Sequence, residues 1–136
     1  MTAFGDRYGP VALVTGASSG IGVGFAEELA ARGLDLVLAA RRVDRLQKVR
    51  ERLEREHGVV VQIVASDLAQ PQAARELANK ISHIDIGLVV SNAGFGAKGH
   101  FDKIDADLMA EMLAVNCHAP MQLSHAFLPR LRARGR

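Results

Sequence analysis

Sulfur and aromatic rings are scarce in this chain. Cys117 is the only cysteine among 136 residues, so no internal disulfide can form, and a reducing, cytoplasmic setting is expected. Tryptophan is missing, and tyrosine occurs once, as Tyr8. With so few rings to stack on bases, nucleic-acid binding has little support. A large excess of charge of one sign is missing too: the net charge is +2, and the basic residues are mixed with acids rather than clustered. No apolar run is long enough to span a bilayer, and no basic start leads into an apolar stretch with a small-residue cleavage site. Neither repeat, low-complexity tract nor linker divides the chain. Residues 1–136 therefore read as one domain, long enough to bury a core without disulfides or metals.

Alternation is what the chain does have. "VALVT" (11–15) is a short β-branched run of the kind that forms a buried strand. After it, Ile21, Phe25 and Leu29, with Ala26 and Ala30, share a helical spacing that Gly33 ends. "LDLVLAA" (34–40) predicts a second strand, and 43–58 a helix built on Val43, Leu46, Val49 and Leu53 with Gly58 as its stop. "VVVQIVAS" (59–66) predicts a third strand, followed from Pro71 by a helix through Leu77, Ala78 and Ile81. "IGLVVSNAG" (86–94) predicts a fourth, and from about Asp105 the pattern is helical to the end, with Pro120 as a kink or restart. Strands apolar on both faces, alternating with helices, specify a doubly wound α/β domain with a parallel sheet.

In such a sheet ligands bind at the carboxyl ends of the strands, where strand order reverses. "TGASSGIG" (15–22) occupies that place after the first strand. Glycine lets a backbone approach a pyrophosphate closely, and the following helix offers unpaired N–H groups and a positive dipole end. The bland alternative is a turn whose glycines only tighten strand-to-helix packing.

The spacing T-G-x-x-x-G-I-G resembles the cofactor fingerprint of the short-chain dehydrogenase/reductase family. "SNAG" (91–94) is similar to the family's N-N-A-G, "DL" (67–68) to its adenine-reading aspartate turn, and Asn116 in "LAVNCHAP" to the asparagine of its catalytic tetrad. These blocks run in family order along essentially the whole chain. The resemblance implies a Rossmann-like sheet with strand order 3-2-1-4. It implies cofactor contacts from Gly16, Ser18, Ser19, Gly20, Ile21 and Gly22 of the turn, from Asp67 and Leu68, and from Asn92, Ala93 and Gly94. It also implies hydride transfer between a nicotinamide and a small carbonyl or alcohol substrate, in a homo-oligomer.

An NAD-binding turn normally places a carboxylate after the second strand, to accept from the ribose hydroxyls. Here that strand ends in Ala40, Arg41 and Arg42. A small residue leaves room for a 2′-phosphate, and a guanidinium grips one with paired charge-assisted hydrogen bonds. NADP(H) is the expected cofactor, with Arg41 as clamp and Arg42 as a second contact; the bland alternative makes both part of a solvated helix start.

The family's reaction uses a tyrosine, a lysine that lowers the tyrosine's pKa from its usual value of about 10, and a serine. Tyr8 precedes the first strand with no lysine at the required spacing, every lysine precedes Asn116, and Ser124 follows it too closely. Of the tetrad only Asn116 is matched, so the chain is expected to be the amino-terminal half of a longer enzyme and inactive alone. On that view the fourth strand is an exposed edge, and Met121, Leu123, Phe127 and Leu131 form an uncovered patch. A non-catalytic NADP(H)-binding sensor and a bare interaction scaffold are the alternatives; retention of Asn116 weighs against a sensor. Cys117 and His118, adjacent on a helix, do not face each other. His118 and His125 lack a third ligand, so no metal site is expected. Asp85, Asp102, Asp105 and Asp107 read as turn and helix-start residues.

Overall fold

The computed structural model describes residues 3–135. Four strands, β1 (Val11–Thr15), β2 (Asp35–Ala40), β3 (Val61–Ala65) and β4 (Ile86–Val90), pair in parallel in the order β3-β2-β1-β4. That is the predicted order. Before, between and after them run α1 (Ala3–Tyr8), α2 (Gly20–Ala31), α3 (Val43–His57), α4 (Ala73–Lys80), α5 (Ala106–Leu113) and α6 (Ala119–Ala133).

The period-two alternation of a strand sends neighbouring residues to opposite faces, so each strand feeds two cores. Ala12, Val14, Leu36 and Leu38 face Ala26, Leu29 and Ala30 of α2 and Leu46, Val49 and Leu53 of α3. Leu13, Val37 and Ala39 face Leu77 and Ala78 of α4 and Ala119, Leu123 and Phe127 of α6. Helices on both faces are what the doubly apolar strands require.

The buried stripe of α2 matches the prediction at Ala26, Leu29 and Ala30 but not at Ile21 and Phe25. Gly22, Ala26, Leu29 and Ala30 point inward, whereas Ile21 is 75% and Phe25 44% exposed. The cause is Gly22, whose missing side chain lets the helix lie directly on the turn below it, where an added Cβ would stand 2.1 Å from the Gly16 carbonyl oxygen. Residues 21 and 25 are thereby rotated off the core. Val43, predicted in the buried face of α3, is also exposed.

Two strands are shorter at their ends than predicted. The Asp35 carboxylate accepts from Val60 N at 2.8 Å, holding residues 59 and 60 outside β3. After Val90, residues 91–94 leave the ladder because the backbone N–H groups of Asn92 and Ala93 donate to the Thr15 hydroxyl instead.

The carboxyl-terminal helical stretch is broken by chemistry at Pro120. Proline has no N–H to donate to the carbonyl four residues back, and the path widens into a π turn over Ala114–His118 between α5 and α6. Asn116 lies in that turn. Asp105 caps α5, its side chain accepting from Asp107 N at 2.8 Å, as predicted for a helix-start residue. Asp85 instead pairs with Arg134, which also donates to the Gly9 carbonyl, tying the end of α6 to the chain before β1.

The predicted uncovered patch on the last helix is largely covered. Leu123 and Phe127 are buried between α6, α4 and the sheet, and only Met121 of the four stays well exposed. The cover that α4 gives α6 was not legible from either helix alone. β4, however, pairs only with β1, and its residues from Gly87 to Val90 are half-buried.

Candidate functional site

At the carboxyl ends of the strands the chain encloses a cavity of about 510 Å³. Next to Gly16 of its lining stands Thr15, the one fully buried polar side chain in the core among the described residues. The Thr15 hydroxyl accepts from Asn92 N at 3.0 Å and Ala93 N at 3.1 Å, and its proton faces the Val90 carbonyl at 3.5 Å. The Asn92 side-chain amide donates to the carbonyls of Thr15 and Gly16, at 3.2 and 3.3 Å. Together these bonds lock the end of β4 to the end of β1.

That lock explains two glycines. Gly16 has φ +64°, and an added Cβ would meet the Ala93 Cα at 2.8 Å. Gly22 is pressed against the Gly16 carbonyl and the Asn92 amide. For these two positions the packing role is real. Gly20 differs: it has φ +58°, and an added Cβ there meets nothing within 4 Å. The amino terminus of α2 carries no side-chain cap from Ser19 and no acid in its first turn, so its leading N–H groups and dipole keep their capacity for an anion.

Of the predicted contacts, Gly16, Ser18, Ser19 and Ile21 line the cavity from the β1 side. Arg41 and Arg42 line it after β2, beside Ala39 and Ala40. Asp67 and Leu68 line it after β3, and Asn92, Ala93 and Gly94 after β4. Gly20 and Gly22 support the wall without lining it. Asp67 already has local work: its carboxylate accepts from Ala69 N at 3.1 Å and faces the Gln70 amide at 3.4 Å, which fixes the turn.

Asn116 does not line the cavity, although its neighbour Val115 does. Its amide brackets one residue of the loop after β4: Phe95 N donates to Oδ1 at 3.0 Å, and Nδ2 donates to the Phe95 carbonyl at 2.7 Å. Gly94 is required there, since a Cβ would stand 2.9 Å from Asn116 Oδ1. Sequence reasoning missed Arg45, Ser66, Phe95 and Glu111, which also line the cavity. Arg45 follows Arg42 at a one-turn spacing that pattern reading could have used; Phe95 directly follows the predicted Gly94, and Glu111 arrives only with α5. Tyr8 stacks against Phe4 in α1, before the amino end of the sheet.

One further group of ligand-type side chains, Glu27, Glu56 and His57, lies between α2 and α3, outside the cavity. Arg52 stands 2.9 Å from Glu27 and supplies the positive charge there. Cys117 is exposed and unpaired. Among the described residues no helix is long and apolar enough to cross a membrane.

A parallel sheet ordered β3-β2-β1-β4, with a glycine turn opening α2 and a cavity over the strand ends, defines a Rossmann-like domain. The chain belongs to the short-chain dehydrogenase family, whose model matches residues 10–136. It is 31% identical over 133 residues to the 7beta-hydroxysteroid dehydrogenase of Clostridium sardiniense, covering 98% of this chain and 51% of that protein. The bulky-bulky ketone specific alcohol dehydrogenase from Comamonas testosteroni superposes with a TM-score of 0.88 at 35% identity, over 95% of this chain and 52% of that one. A short-chain dehydrogenase from Sphingobium yanoikuyae in complex with NADPH superposes with a TM-score of 0.87 at 37% identity, over 93% of this chain and 50% of that one. The chain thus spans about half the length of the relatives it matches.

Proposed function

We propose that this chain is the NADP(H)-binding, amino-terminal half of a short-chain oxidoreductase that moves hydride between a nicotinamide and a small carbonyl or alcohol substrate. The observation that carries the reading is convergence: the turn at 15–22, Arg41 and Arg42, Asp67 and Leu68, and residues 92–94 all border one cavity. These residues fit the cofactor chemically. The end of β2 offers guanidinium groups and no carboxylate, which suits a 2′-phosphate and not a free ribose diol. Uncapped N–H groups at α2 suit a pyrophosphate, and the buried Leu68 beside Ala40 suits an adenine ring.

When bound, the nicotinamide supplies or accepts the hydride. The chain's own part is to hold and orient. The Thr15–Asn92 lock keeps two strand ends in register under the cavity, and the Asn116–Phe95 bracket sets the path of the loop leaving β4. No Tyr-x-x-x-Lys pair occurs in the 136 residues, so the proton donor that completes the reaction is not among them, and the chain by itself does not turn over. The lone exposed thiol supports a cytoplasmic setting.

One observation favours a second reading, a non-catalytic NADP(H) sensor. Both ends of the Asn116 amide are spent on Phe95, so retention of this residue needs no catalytic explanation and no longer argues against a sensor. Titration of the purified chain with NADPH and NADH, with thermal melting in parallel, tests both. Saturable binding that prefers NADPH and raises the melting temperature is expected. Absence of binding by either nucleotide to a cooperatively folded chain would sink both readings. Turnover of a carbonyl substrate by a longer protein carrying this chain would decide for the oxidoreductase.

A further inference from the structure

The end of β2 carries more positive charge than the turn itself supplies. Arg45 stands in the first turn of α3, three residues beyond Arg42, a spacing that places the two on adjacent positions of one helical side. Arg41, Arg42 and Arg45 all line the same cavity. Among the described residues none of the three has an ion pair or a side-chain hydrogen bond. Farther along α3 the pattern changes: Arg50 faces Glu54 and Arg52 faces Glu27.

A cation in the first turn of a helix opposes the dipole, so local electrostatics disfavour Arg45 where it stands. The acid in that turn, Asp44, is its immediate neighbour and projects in another direction. Of the acids that line the cavity, Asp67 is engaged by Ala69 N and Gln70, and Glu111 belongs to α5. Residues that break a local rule without compensation within the chain mark functional positions.

We infer that Arg45 is a specificity-determining residue that contacts the ribose 2′-phosphate and, with Arg41, sets the preference for NADP(H) over NAD(H); this rests on the cofactor reading above. A phosphate monoester carries about −1.5 to −2 charges at neutral pH and three terminal oxygens. One planar guanidinium pairs with two of those oxygens and one charge. Arg41 alone therefore leaves an oxygen and most of a charge unmatched, and Arg45, with Arg42 on the same cavity, is placed to supply them.

The test is a calorimetric titration of the 136-residue chain and its R41A, R45A and R45K variants. The probes are NADPH, NADH, adenosine 2′,5′-bisphosphate and adenosine 5′-monophosphate. R45A is expected to lose about tenfold for NADPH and the bisphosphate, with NADH and the monophosphate unchanged. R45K should regain part of the loss, and the NADPH affinity of R45A should fall less steeply with added salt than the parent's. If R41A loses NADPH preference while R45A keeps it, the role of Arg45 is refuted and the cofactor reading stands. If the unmodified chain, folded, takes neither NADPH nor the bisphosphate, the cofactor reading fails and Arg45 falls with it.

Discussion

Arg41 and Thr15 illustrate two ways in which a single side chain serves this site. Arg41 is exposed at the end of β2 and touches no acid of the chain, so its charge is available to a ligand and its removal should not disturb folding. R41A is expected to weaken NADPH by tenfold or more while sparing NADH; equal loss for both nucleotides would show that the guanidinium does not read the 2′-phosphate. Thr15 is the opposite case, fully buried and used wholly inside the protein. T15V keeps the shape but leaves the N–H groups of Asn92 and Ala93 without their acceptor. A loss of about 2 kcal/mol is expected from urea denaturation, since each buried donor left unpaired carries a penalty of that order. A change below about 0.5 kcal/mol, the level of an ordinary surface substitution, would mean that water replaces the hydroxyl without cost. Gly16 and Gly22 were legible as glycines of a special turn. That they are demanded by Ala93 and Asn92, and not only by a ligand, was not.

At the scale of elements, the break between α5 and α6 matters more than either helix. Pro120 removes a backbone donor, the π turn follows, and Asn116 is carried to the loop after β4. The motif around Asn116 could be read from the sequence. Its partner could not, because Phe95 is 21 residues away and is met through its backbone N–H and carbonyl, which no side-chain pattern encodes. N116A should therefore free the loop without unfolding the domain. Amide hydrogen exchange across residues 94–101 is expected to quicken while β1 and β2 stay protected, because local opening follows the loss of local bonds. Uniform quickening throughout the sheet would instead make Asn116 part of the global fold.

At the scale of the whole molecule, the two faces of the sheet are differently assured. The α2–α3 face rests on helices whose apolar spacing was visible in advance, apart from the rotated stripe of α2. The α4–α6 face rests on Phe127 and Leu123, which read as an exposed patch until α4 was placed against them. Phe127 is 1% exposed, and F127A is expected to lower stability by about 3–5 kcal/mol, the usual range for emptying a buried aromatic site. A drop under about 1 kcal/mol would show that α6 is loosely held and that the patch behaves as exposed after all. β4 keeps one unpaired edge among the described residues, and its Leu88, Val89 and Val90 are half-buried.

While the order of strands in the sheet was implied by the family resemblance, the strands themselves, the helices between them and the blocks at the strand ends were determined by the sequence alone. Each depends on short-range rules: alternation within a strand, spacing within a helix, and glycine or proline at a turn. The tertiary structure alone decided which face α2 buries, what covers α6, what Asn116 holds, and that Arg45 joins Arg41 and Arg42 at one cavity. These are contacts between segments far apart in the chain. Such contacts depend on how backbones approach one another, as where Gly22 lets α2 lie on the Gly16 carbonyl, and no local pattern records that approach.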